Sequence, residues 1–348
     1  MVTIGANPAN RPPRVSDNVF VDLTSRWDVG WYIGLANRGY DRDRVTAGHD
    51  RTAFFPAWPL TLRSVAQFVP RNSASWAWTG ALLSMLLFSM ALAQVHRTAR
   101  LYVTLEQADA AVLLLAFYPF AFCFSVGYSE SLYLLAAASA WYATAAGQTT
   151  RGLVWGTVVG LTRPNGVTMC LPLFLCTLSE PSWNARRALL AAGGPLLGVA
   201  GFSLFLWFWI GVPWQWLAAQ DSWGRAHVGL GGLLSADLQF VRQHGLYGLV
   251  TARPFDVFNM LGLSVLALTP LVYRHMGIGA ALLGPLALLP ALAVGGWPSF
   301  GRYSAVVFPA FIALAGALPA RHVPVFAAAG AVLAGLASAL FFTFRPLY

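Results

Sequence analysis

Two polar stretches near the start of the chain hold the residues best suited to chemistry: SRWDVGWYIGLANRGYDRDR (25–44) and HDRTAFFPAWPLTLR (49–63). Asp28, Asp41, Asp43 and Asp50 stand there beside Arg26, Arg38, Arg42, Arg44 and Arg51, with tryptophans, tyrosines and phenylalanines between them. That mixture is expected where a chain meets a membrane surface and handles a polar head group. A carboxylate can take a proton from a hydroxyl, and the planar fork of an arginine can clamp phosphate oxygens. Asp28 is the candidate for the first task. Arg225 in SWGR and Arg302 in FGRY, each at the edge of an apolar segment, are candidates for the second. Arg26, Trp27, Tyr128, Glu130 and Tyr303 are further candidates for contacts to the substrate or its phosphate.

Each of these residues also has a simpler role. Asp28 directly precedes an expected short helix, 29–38, with Trp27, Trp31 and Leu35 along one face, and could serve only as its N-cap. Glu130, in the turn GYSES, could be solvated or cap the helix that follows. Arg225 and Arg302 could simply extend their heads to the interface. Arg163, in GLTRPNG, would cost about 2.5 to 3.5 kcal/mol at bilayer depth and so needs a partner, water or a place at a re-entrant tip. Asp41, Asp43, His49 and Asp50 read as a solvated loop face, with only weak support for a divalent metal. No metal site and no cofactor are expected.

The elements that position these residues are membrane segments. With 57% hydrophobic residues, 10% charged residues and a mean hydropathy of +0.60 over 348 residues, the chain is far from the roughly 25% charge of a soluble domain. An all-α polytopic membrane protein is expected. All of its basic residues are arginines, and they scatter between apolar runs despite the net charge of +9. A nucleic-acid surface is therefore not expected. Cys123, Cys170 and Cys176 fall in apolar runs without metal-ligand spacing and read as buried hydrophobes.

Residues 1–24 have no apolar core and read as a flexible tail, followed by one membrane domain over 25–348. Spans are expected near 76–95, 108–126, 131–146, 188–211, 255–273, 276–294, 303–318 and 323–342. The run 152–178, broken at Arg163–Gly166, reads as two short helices, since its first arm would rise only about 16 Å. These segments make about eight to ten membrane helices. Between spans lie a first long polar loop, 25–75, and a second, 212–254. In the second, Leu234, Leu238 and Val241 recur at helical spacing opposite Asp237 and Arg242, as in a helix lying on the membrane surface.

Arg97, Arg100, Arg151, Arg186, Arg187, Arg274 and Arg321 fall on one side when 152–178 counts as an even crossing, and that side is expected to be cytoplasmic. Both long loops and GYSES then lie outside. Of the 13 carboxylates, only Glu106, Asp109 and Glu180 fall within. The chemistry is thus expected to face outward, where nucleotide sugars are absent.

The ordered set RWDVGWYIGLANRGY, AFFPAWPL, FSVGYSESLYLL, GLTRPNG, AAQDSWGRAH and GRYSAVVFPAFIALA resembles the pattern of the PIG-V family, the GPI mannosyltransferase 2 group and its bacterial relatives, over about 26 to 317. The resemblance implies a GT-C-like helical bundle and a mannosyltransferase that uses a polyprenyl-phosphate sugar as donor. It also implies an essential acid in the first extracytoplasmic loop, which places Asp28 in the catalytic position. The family carries a transmembrane helix ahead of the RWD loop, and no such run precedes it in this sequence. Membrane lipid, the lipid-linked donor and a glycan, glycolipid or protein acceptor are the partners implied, in the plasma membrane. Phosphate leaves readily, so one base and a phosphate clamp would suffice. Two readings from other classes remain: a transporter or flippase of a lipid-linked sugar, which should show inverted repeats and midplane polar groups, and a non-catalytic membrane scaffold.

Overall fold

A computed structural model describes residues 22–42, 50–178, 184–223 and 229–343, and within them every regular element is helical. The expected tail falls mostly on residues 1–21, outside the described residues, as do Asp43, His49, Glu180 and Arg225. The first polar loop folds into α1 (Val29–Arg38) and α2 (Ala57–Ala66), linked through a 3-10 turn at Arg51–Ala53. Asp50 caps that turn, its Oδ1 accepting from the Thr52 backbone N–H at 2.8 Å. Next come α3 (Ser73–Ala99), α4 (Leu105–Ala116), α5 (Glu130–Ala145), α6 (Thr149–Thr162) and α7 (Cys170–Thr177). They are followed by α8 (Ala185–Ile210), α9 (Gln215–Ala218), α10 (Gly229–Ala252), α11 (Pro254–Asn259) and α12 (Leu263–Ala267). The chain ends with α13 (Thr269–Gly295), α14 (Phe300–Ser304), α15 (Phe308–Ala317) and α16 (Val323–Phe342).

Among the described residues, the segment from Ala320 through α16 joins α3, α8 and α13 as the four helices long and apolar enough to cross a membrane, and α10 with α11–α12 forms a fifth candidate bent by 81°. Several expected spans are instead broken. The segment 108–126 stops as a helix at Ala116, because Pro119 disfavours helix in the residue before it and offers no N–H. The segment 255–273 is divided among α11, α12 and the start of α13, and 303–318 between α14 and α15. The break in 152–178 falls where expected, with Arg163 extended at φ −156°, ψ 152° ahead of Pro164. In α10 the stripe of Leu234 and Leu238 is exposed, while Asp237 turns inward to the Trp297 indole at 2.6 Å.

Glycines set the closest helix contact. Gly156 and Gly160 on α6 meet Gly194 and Gly198 on α8, spacings that let two backbones approach within membranes. A Cβ on Gly194 would lie 2.6 Å from the Leu153 carbonyl oxygen, and one on Gly156 2.9 Å from Pro195 Cδ. These pairings make α6 and α8 parallel. A Cβ on Gly152 would lie 2.9 Å from Thr144 Oγ1 on α5, so α5 and α6 form an antiparallel hairpin. Their far ends therefore bring Glu130 and Arg163 together.

At the other end of the hairpin, a cavity of about 140 Å³ is lined by Tyr102, Trp141, Ala145, Leu175, Cys176, Met276 and Gly279. Arg100, Arg151 and Arg274 lie near these residues in the chain, at the end of the bundle away from Glu130 and Arg163.

Candidate active site

Asp28 occupies the N-cap position of α1, yet its side chain makes no capping hydrogen bond. Its Oδ2 instead lies 3.3 Å from Arg302 Nη1, across 274 residues of chain. The turn that aims it is unusual. Trp27 takes φ +54°, a left-handed conformation costly for a bulky residue. The Trp27 indole N–H donates to the Phe341 carbonyl at 3.1 Å, and this anchors the turn to the end of α16. The Asp28 backbone N–H donates to the Tyr128 hydroxyl at 3.2 Å.

Arg302 is delivered by the short α14. Its N-cap, Ser299, is the other non-glycine residue with positive φ among the described residues, at +66°. Gly301 just before Arg302 leaves room for the Phe120 ring, which a Cβ would overlap, and its N–H donates to the buried Asn259 Oδ1 at 3.1 Å. The Arg302 guanidinium lies 4.9 Å from the Tyr128 ring centre and 5.3 Å from that of Tyr303. Its Nε stands 3.1 Å from Glu130 Oε1.

Glu130 opens α5 and is 1% exposed. The turn before it approaches α3 at Gly127, where a Cβ would meet Gly80 backbone at 3.4 Å, and Ser131 Oγ meets Ser84 Oγ at 2.9 Å. The same Oε1 that faces Arg302 also contacts Arg163 Nη2. Arg163 Nε donates to Ser129 Oγ at 3.2 Å, and the Tyr32 hydroxyl donates to the same oxygen at 3.1 Å. Burial, then the nearby Glu130 and Asp28 charges, pushes the Tyr32 hydroxyl above its ordinary pKa, so it stays a donor. Glu130 Oε2 and Arg163 Nη1 are buried without a hydrogen-bond partner among the described residues. Such atoms in native folds are commonly met by water or ligand.

The result is an alternating row, Asp28, Arg302, Glu130, Arg163, whose two negative and two positive charges cancel. The cost of burying an arginine is thus met by pairing. Asp28 and Arg302 have side-chain exposures of 14% and 11%, against 1% for Glu130. Arg163, at the other end, is 9% exposed, so the Asp28 end is the more exposed of the two.

Asp28, Tyr128, Glu130, Arg302 and Tyr303, separate candidates in the sequence, lie together in the structure. Arg26 is turned to Asp22, at 2.6 Å, and to the Phe342 carbonyl, at 3.3 Å. Asp41 lies 3.5 Å from Arg51 and is half exposed, and Asp50 Oδ2 accepts from Gln215 at 2.6 Å, tying the first polar loop to the second. Arg225 lies outside the described residues. Tyr32 and Ser129 were missed. The buried face of α1 is Val29, Tyr32, Leu35 and Ala36, so of the expected face Leu35 turns inward while Trp27 and Trp31 are half-buried. Among the described residues, no group of three His, Cys, Asp or Glu side chains is arranged to hold a metal ion.

Residues 11–180 match the family model described as Mannosyltransferase (PIG-V). The match includes Asp28, Tyr128, Glu130 and Arg163, while Arg302 and Tyr303 lie beyond it. No curated protein and no solved structure matches.

Proposed function

We propose, for a chain that is PIG-V-like by its match to a mannosyltransferase family, that it transfers mannose from a polyprenyl-phosphate donor to a hydroxyl of a lipid- or polymer-linked acceptor. The family supports a glycosyltransferase; the donor, the sugar and the mechanism are this proposal's own. The transfer takes place on the extracytoplasmic face of the plasma membrane. The observation that carries the reading is that Asp28 forgoes its capping role and faces Arg302 at the accessible end of a buried charged row.

The acceptor O–H proton passes to an Asp28 carboxylate oxygen as the hydroxyl oxygen bonds to the sugar's C1. The bond from C1 to the phosphate oxygen breaks, and its electron pair leaves with the phosphate. The Arg302 fork meets the charge that grows there. No general acid is required, because phosphate is a good leaving group. A single base acting opposite the leaving group inverts C1, by analogy with inverting glycosidases. Tyr128 and Tyr303 flank the guanidinium and limit its movement. A carrier of lipid-linked sugars would need polar groups near the midplane, whereas this row stands where α5 begins and α6 ends.

Asp28→Asn tests the reading. It keeps the size of the side chain and removes its basicity, so turnover should fall by about 10² to 10⁴ while the protein inserts normally. As asparagine is an equally good N-cap, a capping role predicts little change. Asp109→Asn, an exposed change beside His96, is the control. Near wild-type turnover in purified Asp28→Asn would remove Asp28 from the mechanism.

A further inference from the structure

Arg302 is given two tasks that compete, since the guanidinium proposed to clamp the donor phosphate already faces Asp28. The geometry ranks the two carboxylates that meet it among the described residues. Asp28 offers one oxygen at 3.3 Å and is the more exposed. Charge-assisted contacts between guanidinium and carboxylate run nearer 2.7 to 2.9 Å, and paired ones are stronger. Glu130 stands at 3.1 Å in an ion pair whose Nε and Oε1 make no hydrogen bond to each other, so distance does not separate the two; what does is that Glu130 is almost fully buried and is held from the other side by Arg163. An incoming anion can therefore reach and replace Asp28 but not Glu130.

We propose that Glu130 is the positioning residue that holds Arg302, and that Asp28 is its exchangeable ligand, displaced from the guanidinium by the phosphate of the donor. This rests on the proposed function and adds an order of events. Without donor, the base is tied to Arg302. With donor, a tetrahedral phosphate takes the fork, Arg302 keeps Glu130 as its counterion, and Asp28, released from Arg302, faces the acceptor hydroxyl. A carboxylate that loses a neighbouring cation becomes the stronger base. The charges also balance: as the departing phosphate gains one negative charge, Asp28 loses one by taking the acceptor's proton. Arg163, which sequence motifs single out but the transfer itself does not use, acquires a role as the clamp on Glu130. Glu130, by contrast, is no second base.

The inference makes two acid-to-amide substitutions on one arginine act in opposite directions. Binding of a short-chain isoprenyl monophosphate is measured on the full-length protein in nanodiscs, with the matching isoprenol and inorganic phosphate as further probes. Asp28→Asn removes the competitor, so the phosphate should bind about three- to tenfold more tightly. Glu130→Gln removes the permanent holder and leaves Arg302 leaning on Asp28, so binding should weaken by about tenfold or more. The gain from Asp28→Asn should vanish in an Arg302→Gln background, as expected of coupled partners. Should Glu130→Gln fail to fold, that double-substitution cycle decides alone.

Simple removal of negative charge would tighten binding in both variants, and structural damage would weaken it in both. Shifts of the same sign therefore overturn the proposal. So does a gain in Asp28→Asn that persists without Arg302, or an isoprenol that shows the same pattern. Inorganic phosphate reproducing the opposed signs would support the exchange and assign it to the anion alone. Turnover is read separately: opposed binding shifts with retained turnover in Asp28→Asn would end the base reading and leave the exchange standing.

Discussion

Gly160→Ala probes whether the α6–α8 contact sets the active row. The added methyl carbon would press on the Pro195 carbonyl oxygen, 2.9 Å from its carbon and 3.1 Å from Gly198 Cα. Comfortable carbon contacts lie at about 3.5 to 4.0 Å, and the carbonyl oxygen is nearer than either carbon, so the two backbones must part by roughly 1 Å or more. Overpacking of this kind costs about 1 to 3 kcal/mol. Arg163 lies three residues on, at the end of α6, and moves with it. A displacement near 1 Å from a distant substitution can lower turnover by about 10²-fold. Gly201→Ala on α8 is the matched control, because nothing lies within 4 Å of its new methyl. It should be neutral, or stabilising by about 0.5 to 1 kcal/mol through helix propensity. Thermal unfolding and transfer from a labelled polyprenyl-phosphate sugar, measured on both proteins in the same detergent, supply the readouts. If Gly160→Ala matched Gly201→Ala in both, the contact would not be what positions Arg163.

Two further outcomes are expected. A reporter fused after Arg187 should be cytoplasmic and one inserted near Gly231 should be outside, as the arginines of the short loops require; inverted labelling at both sites would place the Asp28 row on the wrong face for the proposed donor. Transfer should survive EDTA, since the guanidinium can meet the departing phosphate; loss of turnover restored by a divalent ion would point to a metal held by the substrate or by loop carboxylates such as Asp41.

What could be read from the sequence follows the range of the interactions involved. Hydropathy located α3, α8 and α16, and the RWD and GYSES motifs singled out Asp28 and Glu130, because these signals are local. The broken spans were misread because a window average hides single prolines: Pro119 and Pro309 were visible, but the leucines, alanines and phenylalanines around them dominated. The face of α1 was misread for a different reason. Trp27 was placed on the helical wheel, but its left-handed φ puts it outside the helix, and Tyr32 holds the inward position. The glycine spacing at 156 and 160, matched by 194 and 198, was legible and went unused. Nothing local could pair Asp28 with Arg302, since their contact depends on where α14 comes to rest at the end of the chain.

The strain at the two turns bears on whether that contact is incidental. Among the described residues, only Trp27 and Ser299 carry a positive φ without being glycine. One precedes Asp28 directly, and the other opens the helix that bears Arg302. Each such conformation costs of order 1 to 3 kcal/mol and persists only where its surroundings over-determine it. Both sets of surroundings use an indole. Trp27 donates to the Phe341 carbonyl at 3.1 Å, and Trp297, two residues before Ser299, donates to Asp237 at 2.6 Å. Asp237 also holds Arg253 at 3.1 Å, so the second polar segment is what steadies the Arg302 turn. If the Asp28–Arg302 pair served stability alone, its 3.3 Å contact would return little against two strained turns, because the attraction of a largely buried pair is mostly offset by the cost of desolvating both charges. The strain is accounted for if the turns serve to place a carboxylate and a guanidinium where a substrate can come between them.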